Sequence, residues 1–164
     1  MTWEGKLLQI FIAERESAPM MEQSEAKLIA GVGVKGDRYA TGLGHFSDRP
    51  HPDRQITLIE IETLEALERD HNIKLEPFEV RRNLITRGVP LNHLVGRRFR
   101  VGETILYGGR LNVPCKYLEE LVGKPIYSPL LNRSGLNCQI VQGGTVRRSD
   151  FIGPETETTS TWKD

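Results

Sequence analysis

Alternation of apolar and polar positions predicts β-strands along most of this chain. The segment KLLQIFI at 6–12 is a predicted opening strand, and QITLIEI at 55–61 has the period of two that is typical of a strand with one buried face. Further strand-like segments, separated by glycines, lie at 82–86, 97–101, 104–107 and 138–142. The pattern therefore predicts a mainly β protein.

Two segments have helical spacing instead. In ETLEALERDHN, at 62–72, leucines recur every three positions among Glu and Arg, and the segment ends near Asn72. The second segment, PCKYLEELVG at 114–123, is stopped by Gly123 and the proline that follows two residues later. These segments predict two short helices.

One pattern of spacing occurs twice and bears on the fold class. VGRRFRVGETI, counted from Gly96, and QGGTVRRSDFI, counted from Gly143, share the same order of apolar, small and acidic positions. Each copy is typical of a strand, a tight turn and a second strand. We interpret them as two similar corners of one closed or half-closed β-barrel with a few short helices.

Length and charge limit the function classes. The 164 residues suit one domain over 1–153, followed by a polar tail at 154–164. Lys+Arg and Asp+Glu number 22 each, so no overall field favours nucleic acid or an anionic membrane. No apolar run approaches the roughly 20 residues that span a bilayer, and the N-terminus lacks a signal-peptide pattern. We therefore expect a cytoplasmic protein with no nucleic-acid or membrane partner.

Cys115 has two interpretations. Free cysteine is often a small buried apolar residue, and Cys138, on a predicted strand, is expected to be one. Cys115, however, follows Pro114 and precedes Lys116 at the start of the second predicted helix. Unpaired N–H groups and a cation there favour the thiolate, which can attack an electrophile, carry a persulfide or bind a soft metal. A reducing compartment favours free thiols over a Cys115–Cys138 disulfide.

Arginines are concentrated in one part of this chain of zero net charge. They are Arg81, Arg82, Arg87, Arg97, Arg98 and Arg100. In RRNLITRG, Asn83 and Thr86 add polar groups beside the guanidinium groups, a combination that suits phosphate. RSGLN at 133–137 has similar donors, and its glycine lets an anion approach the backbone closely. Both segments indicate an anionic small ligand, with a solvated outer face as the alternative.

Three other motifs have less support. GVGVKGDRY matches the G-x-G-x-x-G dinucleotide fingerprint in letters, but the residues after it are a poor helix. His45, His51 and their neighbouring aspartates are dense enough for a metal site, although no cysteine is near. A nucleophilic dyad of Cys115 with His71 or His93 stays open, without a sequence pattern that favours it.

Several blocks of the sequence together resemble the MOSC domain family, named for the C-terminal domain of molybdenum cofactor sulfurase. The blocks are GVGVKGDRY, RQITLIEIE, RRNLITRGVPLNHLVGRRFRVGETIL, VPCKYLEELVG and RSGLNCQIVQGGTV, in the family's order over roughly residues 30–152. The resemblance implies a β-barrel with a cleft that binds the molybdenum cofactor (molybdopterin). It also implies that one cysteine, Cys115 here, carries sulfur or ligates molybdenum.

The resemblance also implies a set of cofactor-binding residues. They are Arg81, Asn83, Thr86, Arg133, Ser134, Gly135, Asp37 and Arg38. Tyr39 stands where the family often has histidine.

Three function classes follow from the resemblance. The first is an oxidoreductase that reduces N-hydroxylated compounds, the second a persulfide sulfur carrier, and the third a non-catalytic cofactor-binding module. We expect no covalent pyridoxal phosphate in this chain, and we therefore expect the electron donor or cysteine desulfurase-type sulfur donor to be a separate protein.

Overall fold

The computed structural model of the protein describes residues 2–155. In this part of the chain the strands are β1 (Gly5–Ile12), β2 (Met21–Gln23), β3 (Glu25–Ile29), β4 (Gly33–Val34), β5 (Ile56–Glu60), β6 (Leu84–Arg87), β7 (Arg98–Val101), β8 (Thr104–Leu111), β9 (Leu136–Gln142), β10 (Gly144–Arg147) and β11 (Phe151–Pro154). The α-helices are α1 (Arg38–Thr41), α2 (Ile61–His71) and α3 (Lys116–Val122). Short 3₁₀ helices cover Pro52–Arg54, Pro77–Val80 and Leu91–Leu94.

Seven strands close into a barrel. Their order is β1, β11, β7, β8, β9, β5 and β6, and β6 pairs again with β1. All of these pairs are antiparallel except β5–β6. Closure satisfies the backbone hydrogen bonds that an open sheet leaves at its edges. The mainly β, barrel prediction is confirmed, while β10, β3 and β4 form a separate small sheet.

Three barrel strands, β1, β5 and β6, have side chains buried on both faces. Leu58 of β5 and Leu84 of β6 belong to the core cluster inside the barrel, whereas the adjacent Ile59 and Ile85 belong to a second cluster. Neighbouring residues of a strand point to opposite faces, which explains why the two clusters divide this way. The second cluster includes residues of α2 and α3, so these helices pack on the outside of the barrel.

The strand and helix predictions hold, with two corrections. The segment 82–86 begins as a strand only at Leu84, because a 3₁₀ helix precedes it and Arg81 takes a left-handed conformation (φ 59°, ψ 38°). The two corners predicted from the repeated spacing are also not equivalent. β7 and β8 form a hairpin, but β10 pairs with β3 and β11 pairs with β7 and β1, so the second copy passes between two sheets.

The two ends of the predicted domain can be placed in part. β11 extends to Pro154, and Glu155 accepts a hydrogen bond from Arg98 (3.0 Å). Residues 156–164 of the predicted tail lie outside the described residues.

Both cysteines are free, as expected. Within residues 2–155, no helix combines the length and apolar character needed to cross a membrane.

Candidate functional site

A cleft of about 310 Å³ lies where the end of β8, the start of α3 and the 43–54 loop meet. Its lining includes Cys115, four aromatic residues and five arginines, but no carboxylate. The arginines are Arg38, Arg54, Arg81, Arg82 and Arg110. A concave surface with this charge is suited to an anionic ligand.

Arg82 is a buried cation whose hydrogen-bond partners are neutral. Its Nε donates to the backbone oxygen of Ser134 (3.0 Å), its Nη1 to that of Val80 (2.8 Å), and its Nη2 to Ser134 Oγ (2.9 Å) and to Asn112 Oδ1. Burial, with a smaller contribution from the charge of Arg38, lowers the pKa of Arg82 to about 10. The side chain is therefore still charged at neutral pH.

Arg81 has an unsatisfied donor in the same cleft. Its side chain is nine-tenths buried, and Nη1 donates to the backbone oxygen of Ala18 (2.6 Å). Its Nη2 is buried without a hydrogen-bond partner within residues 2–155. Burial and the nearby Arg38 lower the pKa of Arg81. A buried guanidinium with a free N–H is costly unless an acceptor reaches it.

Two of the five arginines do have carboxylate partners. Arg38 Nη1 donates to Asp37 Oδ1 (3.0 Å), and Arg110 Nε lies 2.8 Å from Asp53 Oδ2. Asp37 is fully buried and also accepts from the backbone of Ala13 (3.1 Å), which fixes the start of α1. In the described part of the chain, Arg54, Arg81 and Arg82 have no ion-pair partner, so the cleft has uncompensated positive charge.

Cys115 is half-buried in the lining of the cleft, at the residue that precedes α3. The predicted helix start is therefore confirmed. Cys115 packs against the outer core cluster, and an ionised sulfur there would raise the pKa of Arg82. Sulfur and buried guanidinium groups thus share one cavity. Cys138, by contrast, is fully buried in the barrel, where burial raises the pKa of its thiol.

An aromatic wall faces the cleft. It consists of Tyr39, His45, Phe46 and Tyr117. The rings of His45 and Tyr117 stack with their centroids 3.9 Å apart and their planes 3° from parallel. Such a wall can hold a flat ring system. The sequence had no signal for it, because its members come from segments about 70 residues apart that only the fold brings together.

The residues implied by the resemblance divide into groups by position. Arg38, Arg81 and Cys115 line the cleft, and Asp37 and Ser134 contact its arginines. Arg133 is exposed and does not line the cleft. The resemblance did not single out Arg82, Arg54 or Arg110.

The remaining three implied residues brace the barrel. Asn83 Oδ1 accepts from the backbone of Thr57 (3.1 Å) and its Nδ2 donates to the backbone of Phe11 (3.1 Å), so it joins β5 to β1. Thr86 Oγ1 donates to the backbone of Ile59 (3.5 Å). A Cβ at Gly135, whose φ is 104°, would lie 2.1 Å from the Leu58 oxygen, so only glycine fits.

Contacts of Asp53 fix the histidine-rich loop. His51 Nδ1 lies 2.8 Å from Asp53 Oδ1, and Asp53 in turn pairs with Arg110. No group of three metal-ligating side chains occurs among residues 2–155. The loop therefore closes one side of the arginine cleft through Asp53.

Comparison with known families decides the classification. A model of the MOSC domain matches residues 43–152. The chain belongs to the MOSC domain family. MOSC domains are associated with binding of the molybdenum cofactor. The comparison with curated proteins gave no match.

Solved structures agree with this MOSC assignment at the level of the fold. The YuaD protein of Bacillus subtilis superposes with a TM-score of 0.77 at 20% identity, covering 92% of this chain and 97% of that one. YiiM of Geobacillus stearothermophilus superposes with a TM-score of 0.69 at 12% identity, covering 94% of this chain and 77% of that one. YiiM of Escherichia coli superposes with a TM-score of 0.64 at 18% identity, covering 95% of this chain and 70% of that one.

Proposed function

We propose that this MOSC protein binds the molybdenum cofactor in the arginine cleft and uses it to reduce N-hydroxylated compounds, with Cys115 as a molybdenum ligand. The observation that supports the proposal is Arg81, which lines the same cavity as Cys115 and whose buried Nη2 has no hydrogen-bond partner in the described chain. A bound phosphate would give this donor an acceptor and neutralise the charge that burial disfavours.

The donor set of the cleft fits each part of the cofactor. Arg81 and Arg82 offer guanidinium groups to the phosphate, and Arg54, which has no ion-pair partner in the described chain, lies on the same cavity. The aromatic wall suits a flat pterin ring. The sulfur of Cys115 is a soft donor, as suits a metal already held by dithiolene sulfurs. When bound, the cofactor would supply two-electron redox chemistry.

The other implied residues are assigned to positioning in this proposal. Ser134 accepts from Arg82 (2.9 Å) and holds its guanidinium against the cleft. Asp37 does the same for Arg38 (3.0 Å) while it caps α1. Asn83 and Thr86 hydrogen-bond neighbouring strands beside the cleft, and Gly135 lets the chain approach β5 closely.

The test measures how much molybdenum and pterin the full chain contains after expression in cells that synthesise the cofactor. We expect about one molybdenum and one pterin per chain in the parent protein and strongly reduced pterin in Arg81→Met, since a charge-assisted hydrogen bond contributes about 1.5–3 kcal/mol. Arg97→Met is the matched control, because Arg97 is exposed and lies outside the cleft.

The outcomes separate the three function classes. Pterin and molybdenum with reduction of N-hydroxylated compounds by a separate electron donor support the proposal. Labile sulfane sulfur without metal would support the persulfide carrier supplied by a desulfurase-type donor. Bound cofactor without activity would support the binding module. Equal pterin in Arg81→Met and the parent would show that the wrong surface has been chosen.

A further inference from the structure

One member of the aromatic wall is also titratable and has a ring nitrogen without a hydrogen-bond partner in the described chain. His45 is the histidine among the lining residues, on a loop that contacts α3 through Tyr117. Its ring is fixed on two sides, by stacking on Tyr117 (centroids 3.9 Å apart) and by a hydrogen bond from Nδ1 to Glu16 Oε2 (3.0 Å). A ring held in this way has a defined orientation in the cleft.

The hydrogen bond to Glu16 determines which nitrogen is available. An ionised carboxylate only accepts hydrogen bonds, so Nδ1 must donate to Glu16 and the proton of neutral His45 resides on Nδ1. Nε2 makes no hydrogen bond to any described residue of the chain. It is therefore the nitrogen that can exchange a proton with a ligand in the cleft.

The charged groups around His45 come from several elements. Glu16 precedes β2, Tyr117 belongs to α3, and Arg54 lies over the ring of Phe46, at 5.1 Å from its centroid. Arg38 and Arg81 line the same cavity. Glu16 is the negative partner in this set, and it contacts the imidazole directly.

We propose that His45, oriented by Glu16 and Tyr117, donates a proton to the leaving oxygen when an N-hydroxylated substrate is reduced in the cleft. This inference rests on the proposed function. The other titratable side chains of the lining besides the arginines are a thiol assigned to the metal and two tyrosines, and phenols as a class are weaker acids than imidazolium. The Tyr117 hydroxyl is also engaged with Ser17 Oγ (2.8 Å).

The chemistry balances with a separate reductant. The N–O bond of a hydroxylamine breaks, two electrons and two protons are taken up, and an amine and water are formed. The electrons come from a separate one-electron carrier protein, and in vitro from two reduced viologen molecules, which are oxidised; the bound cofactor would supply the redox chemistry. Protonated His45 gives its Nε2 proton to the hydroxyl oxygen, which leaves as water, and solvent gives the second proton to nitrogen. The side chain is 37% exposed, so water can reprotonate it.

The experiment compares loaded full-length parent with His45→Gln, Glu16→Gln and His51→Gln. His51→Gln is the matched control, since His51 is on the same loop but does not line the cleft. Viologen-dependent reduction of the hydroxylamino derivative of adenine is measured from acidic to alkaline pH, per molybdenum bound. We expect His45→Gln to lower kcat about 100-fold with little change in KM, because a positioned acid typically contributes 10²–10⁴-fold. Added imidazole should restore part of the rate.

A second readout does not depend on activity. Imidazole nitrogen NMR of the parent should show the Nδ1–H form of neutral His45, and Glu16→Gln should reduce that preference. The Nε2–H form in the parent would overturn the proposed orientation. Thermal midpoints of all variants establish that they are folded.

The outcomes distinguish this inference from the proposed function. A parent without molybdopterin or reductase activity would refute the proposed function itself. A loaded, active parent whose kcat and pH profile are unchanged in His45→Gln would overturn the role of His45 alone. An equal loss of kcat in His51→Gln would show that the effect arises from the loop as a whole, and it would also overturn the role of His45.

Discussion

At the scale of single residues, one backbone conformation brings two neighbouring arginines into the same cavity. Arg81 has a left-handed φ of 59° directly after the 3₁₀ helix. Adjacent residues of a regular strand would point to opposite faces. The segment RRNLITRG was predicted to hold an anionic ligand, and both Arg81 and Arg82 line the cleft, although the resemblance singled out only Arg81. Spacing alone could not reveal the turn that directs both side chains into one cavity.

Cys115 is the residue at which the proposed chemistry is most directly tested. Cys115→Ser nearly preserves volume but replaces a soft ligand by a hard, largely protonated one. We expect loss of activity, or of persulfide in the sulfur-carrier alternative. The free energy of unfolding should change by no more than about 1–2 kcal/mol, since the side chain is only half-buried. Reductase activity, molybdenum, sulfane sulfur and the thermal midpoint are measured on the same preparations.

Cys138→Ser is the control for that experiment. Cys138 is fully buried in the barrel, so the substitution places a hydroxyl among apolar side chains. This variant should lose stability, by about 1–3 kcal/mol, while each remaining folded molecule keeps its function. Full activity and full sulfur loading in Cys115→Ser would instead make Cys115 a structural thiol.

At the scale of elements, the cleft depends on side chains that tie one strand to another. Asn83 joins β5 to β1, across the first turn of β6. We expect Asn83→Ala to lower the free energy of unfolding by about 2–4 kcal/mol, because it leaves one buried and one partly buried backbone group with one partner fewer. Pterin bound per folded molecule should stay near that of the parent. Denaturant unfolding and pterin content measure the two effects.

Asn92→Ala serves as the matched control for Asn83→Ala. Asn92 is exposed, and its Nδ2 donates to the backbone of Asn132 (2.7 Å). Water can replace that hydrogen bond, so we expect Asn92→Ala to lower the free energy of unfolding by less than about 1 kcal/mol. If Asn83→Ala is as stable as Asn92→Ala but loses the cofactor, Asn83 binds the ligand rather than the strands.

The sequence predicted the positions of strands and helices along the chain better than it predicted which of them contact each other in the fold. Alternation located β1, β5, β7, β8 and β9, and periodic leucines located α2 and α3, since these patterns are local. The helix start at Cys115 followed from Pro114 and the leucines after it. The aromatic wall and the pairing of Arg110 with Asp53 could not be predicted, because each contact joins segments that are distant in the chain. Asn83 and Thr86, which were predicted to bind a ligand, make hydrogen bonds to neighbouring strands, and the sequence pattern could not predict these contacts.

At the scale of the whole molecule, the cleft lies at the junction of two apolar cores. Leu111 in its lining packs on the cluster inside the barrel, and Leu118 belongs to the cluster outside it. Substitutions of the polar lining therefore leave most of both clusters intact. Stability and ligand binding should be separable, which the final prediction uses.

The uncompensated arginines should make the stability of the whole protein depend on anions. An anion that binds only the native state raises stability by RT ln(1 + [L]/Kd), about 2.7 kcal/mol at 100 times Kd. We expect inorganic phosphate to raise the thermal midpoint of cofactor-free protein in a saturable way, relative to chloride at equal ionic strength. In Arg81→Met the saturable part should vanish. The midpoint without phosphate should be equal or higher, because a buried charge without an ion-pair partner has been removed. Arg97→Met should keep the saturable rise. An identical phosphate response in all three proteins would mean that phosphate stabilises the fold generally and that the cleft does not bind it.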